Sequence, residues 1–375
     1  MNKARTFLLP ACLALTALVA NAASLSLPRD SEPASVSRSI GLVKVTIDYS
    51  SPRVHSPGGE DRHGKIWGKL VPYGLTNLSF GTCKECPWRA GANENTTFTV
   101  SNDVQVEGQK LPAGTYGLSM IPGQDEWTVI FSKNSTAWGS FFYDPADDVL
   151  RVKVKPVKSD YQEALSYDFL DSTHDRATVA LKWEELAVPI AITVLNSDGL
   201  YMAQFRNELR NAPGFEWQNW VQASQYALRN KHIEEALKWA TVAATDPAVG
   251  KENVATLSAL ADAQEAAGKV AEAKLTREKA LNHPTAGPID LHMYARQMMM
   301  KGQKDEAVRV WQLNAKKHPN EWPVNVGLAR AFSASGNFKE ALKCAKLAAA
   351  QASDEMNKRS LQGAIKKLEQ NQDMN

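Results

Sequence analysis

Four alanines, Ala236, Ala273, Ala307 and Ala341, recur at intervals of 37, 34 and 34 residues inside the matching segments KHIEEALKWA, GKVAEAKLTR, GQKDEAVRVW and GNFKEALKCA. A segment of that length cannot bury a core by itself, so the recurrence demands a stack in which each unit covers the apolar face of the next. Small residues hold the equivalent point in the first half of each unit, at Ser224, Ala261, Ala295 and Ala329. The two sets together predict paired helices that pack closely within every unit. Gly268, Gly302 and Gly336 fall between the paired helices, where a positive φ is often needed. Pro247, Pro284 and Pro319 block continuation of the second helix. The units fall near residues 215–247, 252–284, 288–319 and 322–352, and DEMNKRSLQGAIKKLEQ beyond them reads as a polar-faced capping helix, giving a helical domain over 200–375.

Upstream of residue 196 the period changes. GLVKVTIDYS places Val43, Val45, Ile47 and Tyr49 on one face, and TTFTVSNDVQVEG, EWTVIFSK, LRVKVKP, LSYDFL, ATVALKWEEL and AVPIAITVL repeat that alternation with β-branched residues. Turn-forming clusters separate them, and NDVQVEGQKLPAGTYGL reads as hairpin turns. Many short strands with almost no helical period predict an all-β domain over 30–195, a sandwich or a barrel, with the sandwich as the fold expected. The chain is thus multidomain, an all-β sandwich followed by an all-α solenoid.

The chain opens MNKARTFLLPACLALTALVANAAS, in which Lys3 and Arg5 precede an apolar run and Ala20-Asn21-Ala22 fits a cleavage site. This is the pattern of a secretory signal peptide over 1–22, too short to span a bilayer, and it predicts a periplasmic or secreted protein. Cys12 has Pro10 close before it and most of the apolar run after it, the reverse of a lipoprotein pattern. Without Lys3 and Arg5 the 43 basic residues become 41, equal to the 41 acidic ones. A charge-driven nucleic-acid binder would carry a basic excess, so that partner class is not expected.

The helical period and its small residues resemble the tetratricopeptide (TPR) repeat. The β segment resembles the DUF2911 family, exported bacterial domains of unknown function, in PASVSRSIGLVKVTIDYSSPRV, GKIWGKLVPYG, WRAGANENTTF, LPAGTYGLSMIPGQDEWTVIF, WGSFFYDPADDVLRVKVKP and LKWEELAVPI. The resemblance implies no activity. In the family pattern PYG runs almost directly into WR, whereas here LTNLSFGTCKECP stands between them. The C-x-x-C is therefore expected to be a local elaboration.

In an oxidising compartment Cys83 and Cys86 are expected to pair as a disulfide that clips their loop. The alternatives are a dithiol, which would want a helix N-terminus, and a metal site completed by His55 and His63; no other cofactor is called for. Cys344 reads as a buried free thiol. Arg89, Asn93 and Glu94, close to Tyr73 and Trp88, offer a guanidinium, an amide and a carboxylate to a small ligand. The competing reading has Asn93 and Glu94 capping the turn while Arg89 pairs with Glu94. Trp67, Trp127, Trp138 and Trp183 suit core packing more than a carbohydrate-stacking surface. No nucleophile elbow, zincin, phosphate-loop or dinucleotide motif occurs, which lowers the enzyme reading without removing it.

Helical repeats bind peptides along the face lined by the first helix of each pair. Counting from the small residues, Gln225, Arg229, Asp262, Glu265, His292, Arg296, Met299 and Arg330 project there and suit an extended protein or peptide partner with acidic groups. The sequence thus points to an exported, non-enzymatic interaction protein. Its alternative is an exported enzyme or a metal- or small-molecule-binding protein with a site around the CKEC-WRAGANE loop.

Overall fold

The computed structural model describes residues 28–375, so the expected leader at 1–22 and Cys12 lie outside the described residues. The chain divides between Ser197 and Asp198 into two compact units. The first contains β1 (Glu32–Ile40), β2 (Val43–Ser51), β3 (Thr96–Val100), β4 (Val104–Val106), β5 (Gln109–Leu111), β6 (Gly114–Ile121), β7 (Trp127–Ser132), β8 (Asp148–Val154), β9 (Val157–Ser172) and β10 (Arg176–Val194). They form two antiparallel sheets, a six-stranded one in the order β1-β2-β3-β6-β7-β8 and a four-stranded one in the order β5-β4-β10-β9.

Alternation places Val43, Val45 and Ile47 of β2 and Val152 and Val154 of β8 in the core, with Val179, Leu181 and Ile192 of β10 buried on the other sheet. Tyr49 of β2 meets Tyr167 of β9 edge to face at 4.9 Å, which joins the two sheets. The Glu107-Gly108 turn, both residues at positive φ, closes the expected hairpin between β4 and β5.

Strand length is where the sequence pattern misled. LSYDFL is the end of the 16-residue β9, and ATVALKWEEL and AVPIAITVL run together as the 19-residue β10. No glycine or turn pair interrupts either segment, so the chain absorbs the bend with a bulge instead of a turn. Register shifts flank Glu184, which takes a positive φ of 56°, and its carboxylate accepts the Gly64 amide.

The second unit begins with α1 (Ser197–Glu208) and continues as α2 (Trp217–Arg229), α3 (Ile233–Thr245), α4 (Val254–Ala266), α5 (Val270–Asn282), α6 (Pro288–Met300), α7 (Lys304–Lys317), α8 (Trp322–Ala334), α9 (Phe338–Gln351) and α10 (Glu355–Glu369). Ala236, Ala273, Ala307 and Ala341 are all buried where paired helices cross, and Ser224 donates to the Ala236 carbonyl at 2.7 Å across the first crossing. Gly268, Gly302 and Gly336 each adopt a φ of 76° in the intervening turn, whereas the first unit places Lys231 there at 66°.

The stack is not uniform. Between α5 and α6 the long side chain of Arg277 reaches back to the Ser258 carbonyl at 3.2 Å, pairs with Asp262, and lies 5.1 Å from the centre of the Tyr294 ring. A cation stacked on a ring thus stands at this seam, whereas at the α7–α8 seam the Trp311 ring lies against Gly327. None of the described helices is long and apolar enough to cross a membrane.

Candidate functional site

Residues 52–95, between β2 and β3, leave the sheet in a long irregular excursion. Trp67 on this excursion packs against Trp127 of β7 at 5.1 Å and Trp183 of β10 at 5.7 Å, and so closes the space between the two sheets. Trp88 completes the cluster, stacked on Trp183 at 6.4 Å and 17°. Backbone exchange fixes Trp88: its amide donates to the Met120 carbonyl at 2.8 Å and its carbonyl accepts from the Met120 amide at 2.7 Å, so it extends β3's place beside β6. The core role expected for Trp67, Trp127 and Trp183 holds, while Trp138 is 60% exposed and stands apart.

Beside this cluster opens a cleft of about 380 Å³, lined among others by Val71, Pro72, Cys86, Trp88, Arg89, Asn93 and Trp183. Three of the five residues expected to form a ligand site are therefore at the cleft. The Arg89 guanidinium donates to the Asn93 carbonyl at 2.6 Å and lies 5.3 Å from the Trp138 ring centre and 5.4 Å from that of Phe141. Those rings are stacked within 11° of each other. Burial pulls the guanidinium pKa below its ordinary value, with no carboxylate contributing. A side chain at Gly139 would come within 2.7 Å of the Arg89 Cζ, so glycine there lets the guanidinium lie flat.

The other two residues turn elsewhere. The Tyr73 ring covers Gly68, whose Cβ would lie 2.6 Å from it. Glu94 faces away from the cleft, accepting two bonds from Arg29 at 2.9 and 3.0 Å and one from the Ser50 hydroxyl at 3.3 Å; the bond from its own backbone amide, and then those of Arg29 and Ser50, hold its carboxyl below the usual range. The expected Arg89–Glu94 pair does not form, because Asn93 takes a φ of 55° and sends the two side chains apart.

Cys83 and Cys86 form a disulfide with their Cα atoms 5.7 Å apart. The clip is tied on two sides: the Cys83 amide donates to the Phe141 carbonyl at 3.0 Å, and Cys86 exchanges backbone bonds with Thr76 at 2.9 and 3.0 Å. It thereby links the platform under Arg89 to the wall of the cleft. Bonded sulfurs offer no thiolate to a metal, and the histidines considered with them have other partners. His55 Nδ1 lies 3.0 Å from Glu163, whose hydrogen bond is the main cause of its raised pKa, and His63 rests edge-on against Tyr161 at 5.8 Å. Among the described residues no three His, Cys, Asp or Glu side chains converge as metal ligands. Cys344 is a half-buried free thiol, its pKa raised by burial.

The eight residues expected on the partner face of the helical unit fall into three environments. Gln225 and Arg229 of α2 line a depression shared with Phe205 and Glu208 of α1. Asp262 and Glu265 of α4 face Arg277, Asp262 as a direct ion pair and Glu265 at 4.0 Å, so one guanidinium offsets one of their two charges. Further along, His292, Arg296 and Met299 of α6 and Arg330 of α8 make a cationic end. His292 is buried against Trp311 and its Nδ1 has no partner; burial first, then Arg330 and Arg296, hold its pKa down to about 4.

Residues 372–375, which the sequence pattern left unassigned, lie on α8. Asp373 accepts from the Ser333 hydroxyl at 2.6 Å, the Met374 amide donates to the same hydroxyl at 3.0 Å, and Asn375 donates to the Arg330 carbonyl at 3.1 Å. The Met374 side chain is buried in the apolar cluster around Ala329 and Leu368. A left-handed Asn371, φ 53°, turns the chain out of α10 so that these contacts form.

Solved structures similar to the chain include a Podosopora anserina protein with nearly identical TPR-like repeats, at 20% identity over 41% of this chain and 85% of that one, TM-score 0.30. Another is YrrB, a TPR protein with an unusual peptide-binding site, at 14% identity over 45% and 84%, TM-score 0.29. The repeat assignment rests instead on the period and helix pairing given above. No curated protein matches the sequence. Residues 31–192 match the family described as "Protein of unknown function (DUF2911)".

Proposed function

We propose that this is an exported bacterial interaction protein, periplasmic or secreted, that recruits a protein partner by holding an extended, acidic segment on the α6–α8 face of its helical unit. The observation that carries the reading is the seating of residues 372–375 on α8: a carboxylate on Ser333, an apolar side chain in a buried cluster and an amide on Arg330. An extended peptide is thus already accommodated at this end, beside two arginines that favour acidic groups. Arg330 supports the reading further, since its Nε is buried without a hydrogen-bond partner and its Nη1 donates to the Asn375 amide oxygen at 3.4 Å. Export is supported by the leader pattern and by the Cys83–Cys86 disulfide, which suits an oxidising compartment. The enzyme reading loses its carboxylate, because Glu94 is engaged by Arg29 outside the cleft.

In-cell cross-linking followed by co-purification tests the proposal. The full chain is expected to capture a defined partner that Arg296→Glu with Arg330→Glu loses. Recovery of the same partners by the folded double variant would refute it.

A further inference from the structure

The cleft of the β unit has a composition that the peptide reading does not use. Its walls are apolar and flat, with Val71, Pro72, Trp88 and Trp183 among them, and among the described residues the charged ones lining it are Arg62 and Arg89. Arg62 is matched by Glu60 at 3.3 Å. Arg89 has no such partner: its polar contact is a backbone carbonyl, and its faces are turned to Trp138 and Phe141. A guanidinium half removed from water, with one edge satisfied and no counter-charge, gains most from an acceptor that is itself anionic, and the planar fork matches a carboxylate in two-point geometry. Apolar walls and one oriented cation are the usual arrangement of a small-molecule site, where area supplies affinity and a few polar groups set orientation.

The surroundings hold that cation in place. Gly139 leaves room for the guanidinium to lie flat, and the Cys83–Cys86 clip fixes Phe141 beneath it while fixing Thr76 in the lining of the cleft. The inserted loop that sets this chain apart from the family pattern is therefore a wall of the cleft.

We infer that this cleft binds a small organic anion, one carboxylate on a flat apolar body, with the carboxylate on Arg89 and the body against Trp88 and Trp183. The inference stands apart from the peptide reading, which concerns the other unit.

Naphthoate and its uncharged counterpart naphthamide are suitable probes for the full-length oxidised protein, with quenching of tryptophan fluorescence and calorimetry as readouts. Naphthoate is expected to saturate one site, and inorganic sulfate at the same concentration is not expected to displace it. Arg89→Gln should weaken naphthoate at least about tenfold, the scale of losing a charged hydrogen-bond pair, and leave naphthamide within about twofold. Leu70→Glu, at a half-exposed position on the cleft wall, should likewise weaken naphthoate more than naphthamide. Equal losses for both probes, or no loss for either in a folded variant, would overturn the assignment of the anion to Arg89. Displacement by sulfate alone would overturn the apolar half of the site.

Discussion

The excursion at 52–95 and the helical stack both place side chains around a concavity, by opposite means. The excursion has almost no regular hydrogen-bonded structure and is pinned by single contacts: Trp67 between the sheets, Trp88 beside β6, the disulfide against Phe141. The stack repeats one small-residue crossing four times and then varies what it displays. A surface held by a few large contacts fails all at once when one is removed, whereas a surface held by repetition tolerates change and is tuned one residue at a time.

The largest expected effect breaks the first arrangement. Trp67→Ala removes the ring that joins Trp127 to Trp183 and should cost about 3–5 kcal/mol, read by urea unfolding of the β unit. A loss near that of an exposed substitution would mean that the excursion is not what closes the sandwich.

A second test sharpens the comparison through pH. His292 has its pKa depressed from 6.5 to about 4 by burial and by two arginines, so the unfolded chain takes up its proton first as pH falls. Stability of the helical unit should therefore be full above about pH 6.5 and decline down to about pH 4, by about 3 kcal/mol in all, and His292→Gln should flatten that slope. Thermal unfolding across this window provides the measurement.

The smallest effect concerns the repeat that departs from its fellows. Lys231 occupies the left-handed turn position that Gly268, Gly302 and Gly336 hold elsewhere. Lys231→Gly should stabilise the helical unit by about 1 kcal/mol in a denaturant titration, because a side chain pays that much for a positive φ.

What the sequence disclosed follows from the range of the interactions. Helix pairing was legible because the alanines, turn glycines and terminal prolines recur locally. The length of β9 and β10 was not, since a bulge at Glu184 leaves no turn residue to read. At the cleft, Trp88, Arg89 and Asn93 were found through one dense motif, but Glu94 was lost to Arg29, 65 residues away. Trp183 joined the site through sheet packing, and Trp138 and Phe141 through the connection between β7 and β8. The expected partner face was a row of positions taken from the repeat period, and that period announces neither the ion pair of Arg277 with Asp262 nor the contacts of residues 372–375.

The most direct test of the peptide-holding face is fluorescence anisotropy of a labelled peptide with the sequence of residues 370–375, titrated with the chain ended at Glu369. Saturable binding that Arg330→Glu abolishes is the predicted result. No binding, or binding that Arg330→Glu leaves unchanged, would contradict the account.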